Sequence, residues 1–309
     1  MEKPDTKNNH RRGKMKPTLS IIVLSFNTKE TTHRCLLAAI KALKNQKVPA
    51  EIIVIDNASG DGSVEKIRNL KSGFKNLILL ENKENVGYSQ GNNQGIKITK
   101  GEYVLFLNSD AILEDVNFKN LIEYMKQNET VGALTVKVVL PNGKIDPASH
   151  RGFPTIWNSL TYFSKLEKIF GKTPFLGKIF GGYHLSYLNT EKIHEIDSGT
   201  GAFYLLKKSV LDKVGMFDAK NFFMYGEDLD LSYRVKQAGY SVIYYPLYKV
   251  LHLKYQSGLK KSDMAIQEKT KGYFYSAMKE FYKKHYAKMH SNITNNLVYF
   301  FIDIKKKLS

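Results

Sequence analysis

The chain has 309 residues, of which 42% are hydrophobic, 25% charged and 12% aromatic; that globular mixture excludes collagen-like, mucin-like and wholly disordered chains. Its only cysteine, Cys35, excludes an internal disulfide and a multi-cysteine zinc site. The formal charge of +18 gathers at the ends, with +4 over residues 1–17 and +8 over residues 254–309, unlike the structured basic face of a nucleic-acid reader and suited either to an anionic surface or, as preferred for the N-terminal tail, to solubility alone.

Residues 1–17 read as a basic disordered tail without the apolar stretch of a signal peptide. No apolar run nears the roughly 18 residues of a membrane span. A cytoplasmic body, peripheral on the membrane's inner face at most, is the expectation. From residue 18 the pattern becomes regular. Leu19–Ser25 is β-rich and apolar, a strand buried on both faces. Residues 28–43 carry apolar positions at helical spacing, with Thr28 as the expected N-cap. Strands at 51–55, 77–80 and 103–107 alternate with helices at 64–70 and 89–99, which predicts a mostly parallel sheet with helices on both faces. Ligands collect at the carboxyl ends of such strands, and polar residues stack there: Ser25-Phe26-Asn27, Asp56-Asn57, Asn82 and Asn108-Ser109-Asp110.

Beyond residue 130 the rhythm loosens. A strand is expected at 131–140, an irregular aromatic and Gly-rich insertion at 150–190, and a strand at 196–206 interrupted by Gly199 and Gly201. A helix follows at 229–238, then strands at 242–245 and 249–253, and a basic, aromatic helical stretch over 263–309.

Three stretches could carry chemistry. Gly87, Gly91 and Gly95 line one face of a helix, open either to a ligand or to close packing on the sheet. Asp110 stands where a strand stops, fit for a hard cation or for a simple turn. Glu227, Asp228 and Asp230 open a helix among Phe222, Phe223, Met224 and Tyr225, a setting that desolvates a carboxylate and raises its proton affinity. Complementing the helix dipole, with an Asp230–Arg234 pair, explains the same residues structurally. His252 reads equally as a metal ligand or a core histidine. No G-x-G-x-x-G follows the first strand and no G-x-x-x-x-G-K-[ST] occurs, which argues against a dinucleotide oxidoreductase or a P-loop kinase.

Taken together, Ser25–Asn27, the stretch Asp56 to Ser63, Asn85 to Gly95, Asn108-x-Asp110, Gly199 to Ala202, Val214 to Asp218 and Phe223 to Asp230 resemble family 2 glycosyltransferases, nearest to bacterial rhamnosyltransferase-type members. The likeness covers roughly residues 18–258. It implies the α/β GT-A fold with a Rossmann-like sheet, a nucleotide-binding half at 18–110 and an acceptor half at 111–258, leaving 259–309 as a helical extension. It further implies inverting transfer from a nucleotide-sugar with Mg²⁺ or Mn²⁺. The favoured donor is dTDP-rhamnose, with UDP-sugars next, and the acceptor is a glycan or lipid-linked glycan of cell-surface polysaccharide. On this resemblance Ser25, Phe26, Asn27 and Asp56 hold the base and ribose, while Asn85, Gly87 and Asn92 shape the wall beside them. Asn108, Ser109 and Asp110 form the D-x-D-like site, with Asn108 in place of its first carboxylate, and Asp110 binds metal together with His252. Asp228 is the base, Glu227 supports the acceptor site, and Thr200 and Gly201 lie on the acceptor side. The familiar H-x-x-G-x-S reads His252-Leu-Lys-Tyr255-Gln-Ser257 here. A sugar-1-phosphate nucleotidyltransferase and a non-enzymatic basic nucleic-acid or membrane binder are the rival classes; the first lacks its Gly-rich phosphate loop, and the second leaves the central motifs unexplained. The C-terminal extension interleaves aromatics with lysines, which suits a helix in the headgroup region or one packed on the domain.

Overall fold

The computed structural model describes residues 16–254 and 264–308. β1 (Leu19–Ser25), α1 (Lys29–Gln46), β2 (Ala50–Asp56), α2 (Ser63–Leu70), β3 (Leu77–Glu81), α3 (Tyr88–Ile98) and β4 (Tyr103–Asn108) alternate along the first third of the chain. The β-branched runs of β1 and β2 are fully buried because helices cover both sheet faces. The parallel order β3-β2-β1-β4 sets Ser25 beside Asp56 and Leu24 beside Asn108. Three strands therefore end level, and their polar termini share one edge.

The remainder comprises β5 (Ala111–Leu113), α4 (Phe118–Gln127), β6 (Val131–Val139), α5 (Ile156–Phe163), α6 (Leu166–Phe170), α7 (Leu176–Phe180), β7 (His194–Ile196), β8 (Tyr204–Lys207), α8 (Lys208–Val214), α9 (Glu227–Gln237), β9 (Ser241–His252), α10 (Met264–His285) and α11 (Asn292–Leu308). The sheet continues past β4 as β8-β6-β9-β5, with β7 on β9. β6 and β9 run parallel, whereas β8, β5 and β7 are antiparallel to their neighbours. Alternate residues of β1 feed two cores: Ile21 and Val23 meet α1 and α4 on one face, and Ile22 meets α3, α8 and α9 on the other. A third cluster joins Phe222 to Phe281, Tyr282 and Tyr286 of the C-terminal region.

Several expectations change. The stretch 150–190 holds three short helices; at five to eight residues each they are too short to show a helical stripe. The single strand expected at 196–206 is two, β7 and β8, separated by a tight turn in which Thr200 bridges Phe203. The two late strands are one, β9, whose pairing with β6 jumps from Tyr245 to Lys249 around Pro246, a residue with no N–H for the ladder. Thr28 makes no capping bond. Its hydroxyl meets those of Thr32 at 2.8 Å and Ser109 at 3.3 Å, tying α1 to the end of β4. The expected boundary at 258/259, with Tyr255 and Ser257, lies outside the described residues, as does nearly all of the 1–17 tail.

Candidate active site

After β1 the chain turns through Asn27, whose φ of 52° lies in the left-handed region that Asn tolerates. Its N–H donates to Ser59 Oγ at 2.9 Å, and Gly60 N–H donates to its Oδ1 at 2.8 Å. The β1 and β2 loops are thereby locked together, with half-buried Phe26 beside them. Ser25 turns its hydroxyl inward to Thr28 and Thr32. Asp56 is different. One carboxylate oxygen accepts Ser59 N–H at 2.8 Å, while Oδ2 is buried without a partner. Leaving such an atom unpaired costs about 1–3 kcal/mol, a cost that any bound hydrogen-bond donor would relieve.

Asn85, Gly87 and Asn92, expected beside the nucleotide, make local contacts. Asn85 Oδ1 accepts from Gly87 N–H at 3.0 Å and from Asn57 Nδ2 at 3.2 Å. Gly87 has φ +86°, and a Cβ there would stand 2.7 Å from Phe223. Asn92 Nδ2 donates to Tyr88 O at 2.9 Å within its own helix. Cβ atoms at Gly91 and Gly95 would meet Leu24 and Ile22 of β1 at 2.4 and 2.8 Å. Close packing on the sheet, and not a ligand, explains that part of the glycine row.

At the end of β4, buried Asp110 presents Oδ1 to His252 Nε2 at 3.2 Å. The other ring nitrogen of His252 meets Asp146 Oδ2 at 2.7 Å, and Lys254 Nζ donates to Asp146 Oδ1 at 3.0 Å. Burial works to lower the His252 pKa, but Asp110 and Asp146 outweigh it and lift the imidazole to about 9. Burial likewise opposes the ionised Asp146, and His252 with Lys254 overcomes it, holding that carboxyl far below its usual range. Asn108 Oδ1 is buried and unpartnered close by, its amide 3.5 Å from His252 Nε2. Among the described residues no three His, Cys, Asp or Glu side chains converge as a cation cage. Asp110 Oδ1 and His252 Nε2 stand 3.2 Å apart, close enough for a cation to take the place of the imidazole proton between them, with Asn108 Oδ1 as a neutral oxygen nearby. A small divalent ion that keeps waters and takes phosphate oxygens fits this donor set.

Tyr225 and Gly226 both adopt positive φ, 72° and 80°, and turn the chain sharply into α9. Two consecutive carboxyls then meet different surroundings. Asp228 pairs with Arg151 at 2.7 Å through Oδ2, and its Oδ1 accepts Leu229 N–H at 2.8 Å. Glu227 is buried with Oε2 unpartnered, and burial, then the neighbouring Asp228 charge, pushes its pKa upward. The desolvation expected of this aromatic stretch therefore falls on Glu227. Asp230 does pair with Arg234, at 2.9 Å.

Tyr88 joins the two sides. Burial, followed by the charges of Glu227, Asp228 and Asp110, raises its phenol well above the ordinary value, so all three carboxyls lie near enough to influence one hydroxyl. A Cβ on Gly201 would lie 2.2 Å from that hydroxyl and 3.4 Å from Asn108 Oδ1. Gly201 O also accepts Asn108 N–H at 3.1 Å, and buried Thr200 sits in the same turn. Sequence reading missed Tyr88, Asp146 and Arg151. Arg151 lies in a stretch with no period and Asp146 follows a turn, so only the fold brings them in; Tyr88, next to Gly87, carried a positional hint.

Residues 20–190 match glycosyl transferase family 2. The chain belongs to that family. Among curated family 2 relatives, the poly-β-1,6-N-acetyl-D-glucosamine synthase of Staphylococcus aureus strain COL is 28% identical over 229 residues, 74% of this chain and 48% of that protein. The chain thus spans about half the length of the curated relatives it matches. Two solved structures share the GT-A fold. GalNAc-T7, solved with UDP, GalNAc and Mn²⁺, aligns with a TM-score of 0.58 at 15% identity over 77% of this chain and 44% of its own. Residues 1–349 of S. aureus TarS, solved with UDP-GlcNAc, align at 0.56 and 18% over 85% and 64%. The rhamnosyltransferase likeness has no counterpart among these three.

Proposed function

We propose that this family 2 protein transfers a sugar, with inversion, from a nucleotide-sugar to a hydroxyl of a glycan or lipid-linked glycan acceptor in cell-surface polysaccharide synthesis. The observation that carries this reading is that Glu227, Asp228 and Asp110, the last paired with His252, all act on the one Tyr88 phenol, which we read as a single cleft. Asp56 Oδ2 would take a base N–H or a ribose hydroxyl, and Phe26 and Asn27 would line the nucleotide. Asp110 and His252, with Asn108 as a neutral oxygen donor, would hold Mg²⁺ or Mn²⁺. Such an ion, when bound, offsets the negative charge that develops on the leaving diphosphate.

Asp228 is the proposed base. Its ion pair with Arg151 aims the carboxylate, while neutral Glu227 beside it can donate a hydrogen bond to the acceptor. Different surroundings thereby give adjacent carboxyls different tasks. As the acceptor oxygen forms its bond to the anomeric carbon, the bond to the diphosphate oxygen breaks and the acceptor proton passes to Asp228. One displacement needs one base and no carboxylate nucleophile, unlike a retaining glycosidase.

For the donor we favour a UDP-sugar, an N-acetylhexosamine derivative foremost, on the model of the relatives' names, with dTDP-rhamnose as the second reading. A thermal-shift screen of UDP-GlcNAc, UDP-GalNAc, dTDP-rhamnose and GDP-mannose, each with and without Mn²⁺, tests this. A Mn²⁺-dependent rise with a UDP-sugar, followed by UDP release on transfer, is expected. Pyrophosphate release would instead favour a nucleotidyltransferase.

A further inference from the structure

A second surface of the molecule has its own chemistry. The insertion between Arg151 and β7 folds as α5–α7, held together by Trp157 Nε1–H donating to Ile179 O at 2.7 Å and by Phe180 against the rings of Trp157 and Phe170. Its outer side is apolar: Trp157, Leu160, Ile169, Ile179 and, at the tip, Phe175, which is 92% exposed. Exposed Lys165, Lys168, Lys172 and Lys178 surround these residues. The one acidic residue within α5–α7, Glu167, is buried and accepts from His184 N–H and Ser186 Oγ at 2.8 Å.

α11 repeats the pattern. Val298, Tyr299 and Ile302 pack inward toward α10, yet Ile293, Leu297, Phe300, Phe301 and Leu308 point outward at helical spacing. Its one acidic residue, Asp303, is paired with Lys279. The two surfaces meet, because Lys305 Nζ lies 5.4 Å from the Phe163 ring centre.

We propose that α5–α7 and α11 together form a docking face for the surface of an anionic lipid bilayer. The apolar side chains would enter the acyl boundary and the lysines would remain among the headgroups. Among the described residues no helix is long and apolar enough to cross a membrane, so the face lies on the bilayer. A second copy of the chain is the poorer occupant, since an isologous contact would set the two lysine rims against each other. The face also adjoins the cleft: Tyr183, stacked on Tyr162 at 4.7 Å, feels the charges of Arg151 and Asp228. A membrane-held acceptor would arrive at that wall.

The proposal stands apart from the donor chemistry, and flotation of the full chain with vesicles tests it. Binding is expected to phosphatidylcholine vesicles with about 30% phosphatidylglycerol, and to fall about tenfold or more on pure phosphatidylcholine or in about 0.5 M salt. The pairs Phe175→Asp with Ile179→Asp, and Phe300→Asp with Phe301→Asp, should each weaken binding about tenfold. Because both sites are exposed, far-UV circular dichroism, the melting temperature and the UDP-induced thermal shift should be unchanged. Failure of the wild-type chain to bind, or wild-type binding by both folded variants, overturns the proposal. So does a dimer in light scattering that the same variants dissolve. Should vesicle binding hold while no nucleotide-sugar is bound, the docking face stands and the glycosyl-transfer reading fails.

Discussion

Glu227 and Asp228 are neighbours on one helical turn, yet only one of them meets a guanidinium. Asp228 shares a 2.7 Å ion pair with Arg151, whereas Glu227 keeps a buried oxygen without a partner. Asp228→Asn keeps the shape and removes the proton acceptor. Transfer should fall about 10²–10⁴-fold, the usual worth of a general base, while the thermal shift with UDP and Mn²⁺ persists. Glu227 makes a separate prediction through pH. Its folded pKa lies above the ordinary 4.5, so its contribution to stability is whole below that value and is lost as pH rises through the folded one. Glu227→Gln should therefore melt higher than wild type at about pH 9 and close to it at about pH 5; an equal difference at both would refute the buried neutral acid. The sequence pointed to this turn through its aromatic flanks. It did not show which carboxyl is desolvated, because Arg151 arrives from a distant and aperiodic segment.

At the level of elements, the strand ends build the cleft. β1, β2 and β4 finish level through their parallel register, and that was legible, since buried β-branched runs alternating with amphipathic helices have few other arrangements. α5–α7 and the joined strand β9 were not legible, because short helices carry no period and Pro246 resembles a strand end. The glycine row was ambiguous until the backbone positions were known. Gly95 now makes a prediction. Alanine there would gain up to about 1 kcal/mol of helix propensity, but its Cβ would stand 2.8 Å from Ile22 Cγ2 and 3.0 Å from Ile55 Cδ1. Both neighbours are β-branched and fully buried, so overpacking should prevail. Gly95→Ala is expected to lose about 1–3 kcal/mol in urea unfolding. Unchanged or greater stability would contradict that contact.

Across the whole molecule, the C-terminal helices brace the helix that carries the two carboxyls. Asp230, fully buried in α9, meets Arg234 at 2.9 Å, Lys284 at 2.6 Å and His285 at 2.8 Å. Burial alone would raise its pKa; His285, Arg234 and Lys284 reverse this and lower it to about 2. This stabilisation is present above the ordinary 3.8 and is lost as pH falls through about 2. Asp230→Asn should cost about 3–5 kcal/mol at neutral pH, because Arg234 and Lys284 lose their buried counter-charge. That deficit should shrink as the solution is acidified; a deficit constant from about pH 7 to pH 3 would assign it to packing. Only the Asp230–Arg234 half of this network was readable from sequence, since i,i+4 spacing is local and the partners on α10 are not. The proposed transfer needs a cation side and a base side in one cleft, and a paired titration tests this most directly. UDP binding is measured with and without Mn²⁺ for wild type, Asp110→Asn and Asp228→Asn, alongside transfer from the best donor. The cleft predicts that Asp228→Asn keeps the Mn²⁺-dependent gain and loses transfer, and that Asp110→Asn loses the gain itself. Near-normal transfer by Asp228→Asn, or an identical Mn²⁺ effect in wild type and Asp110→Asn, would contradict it.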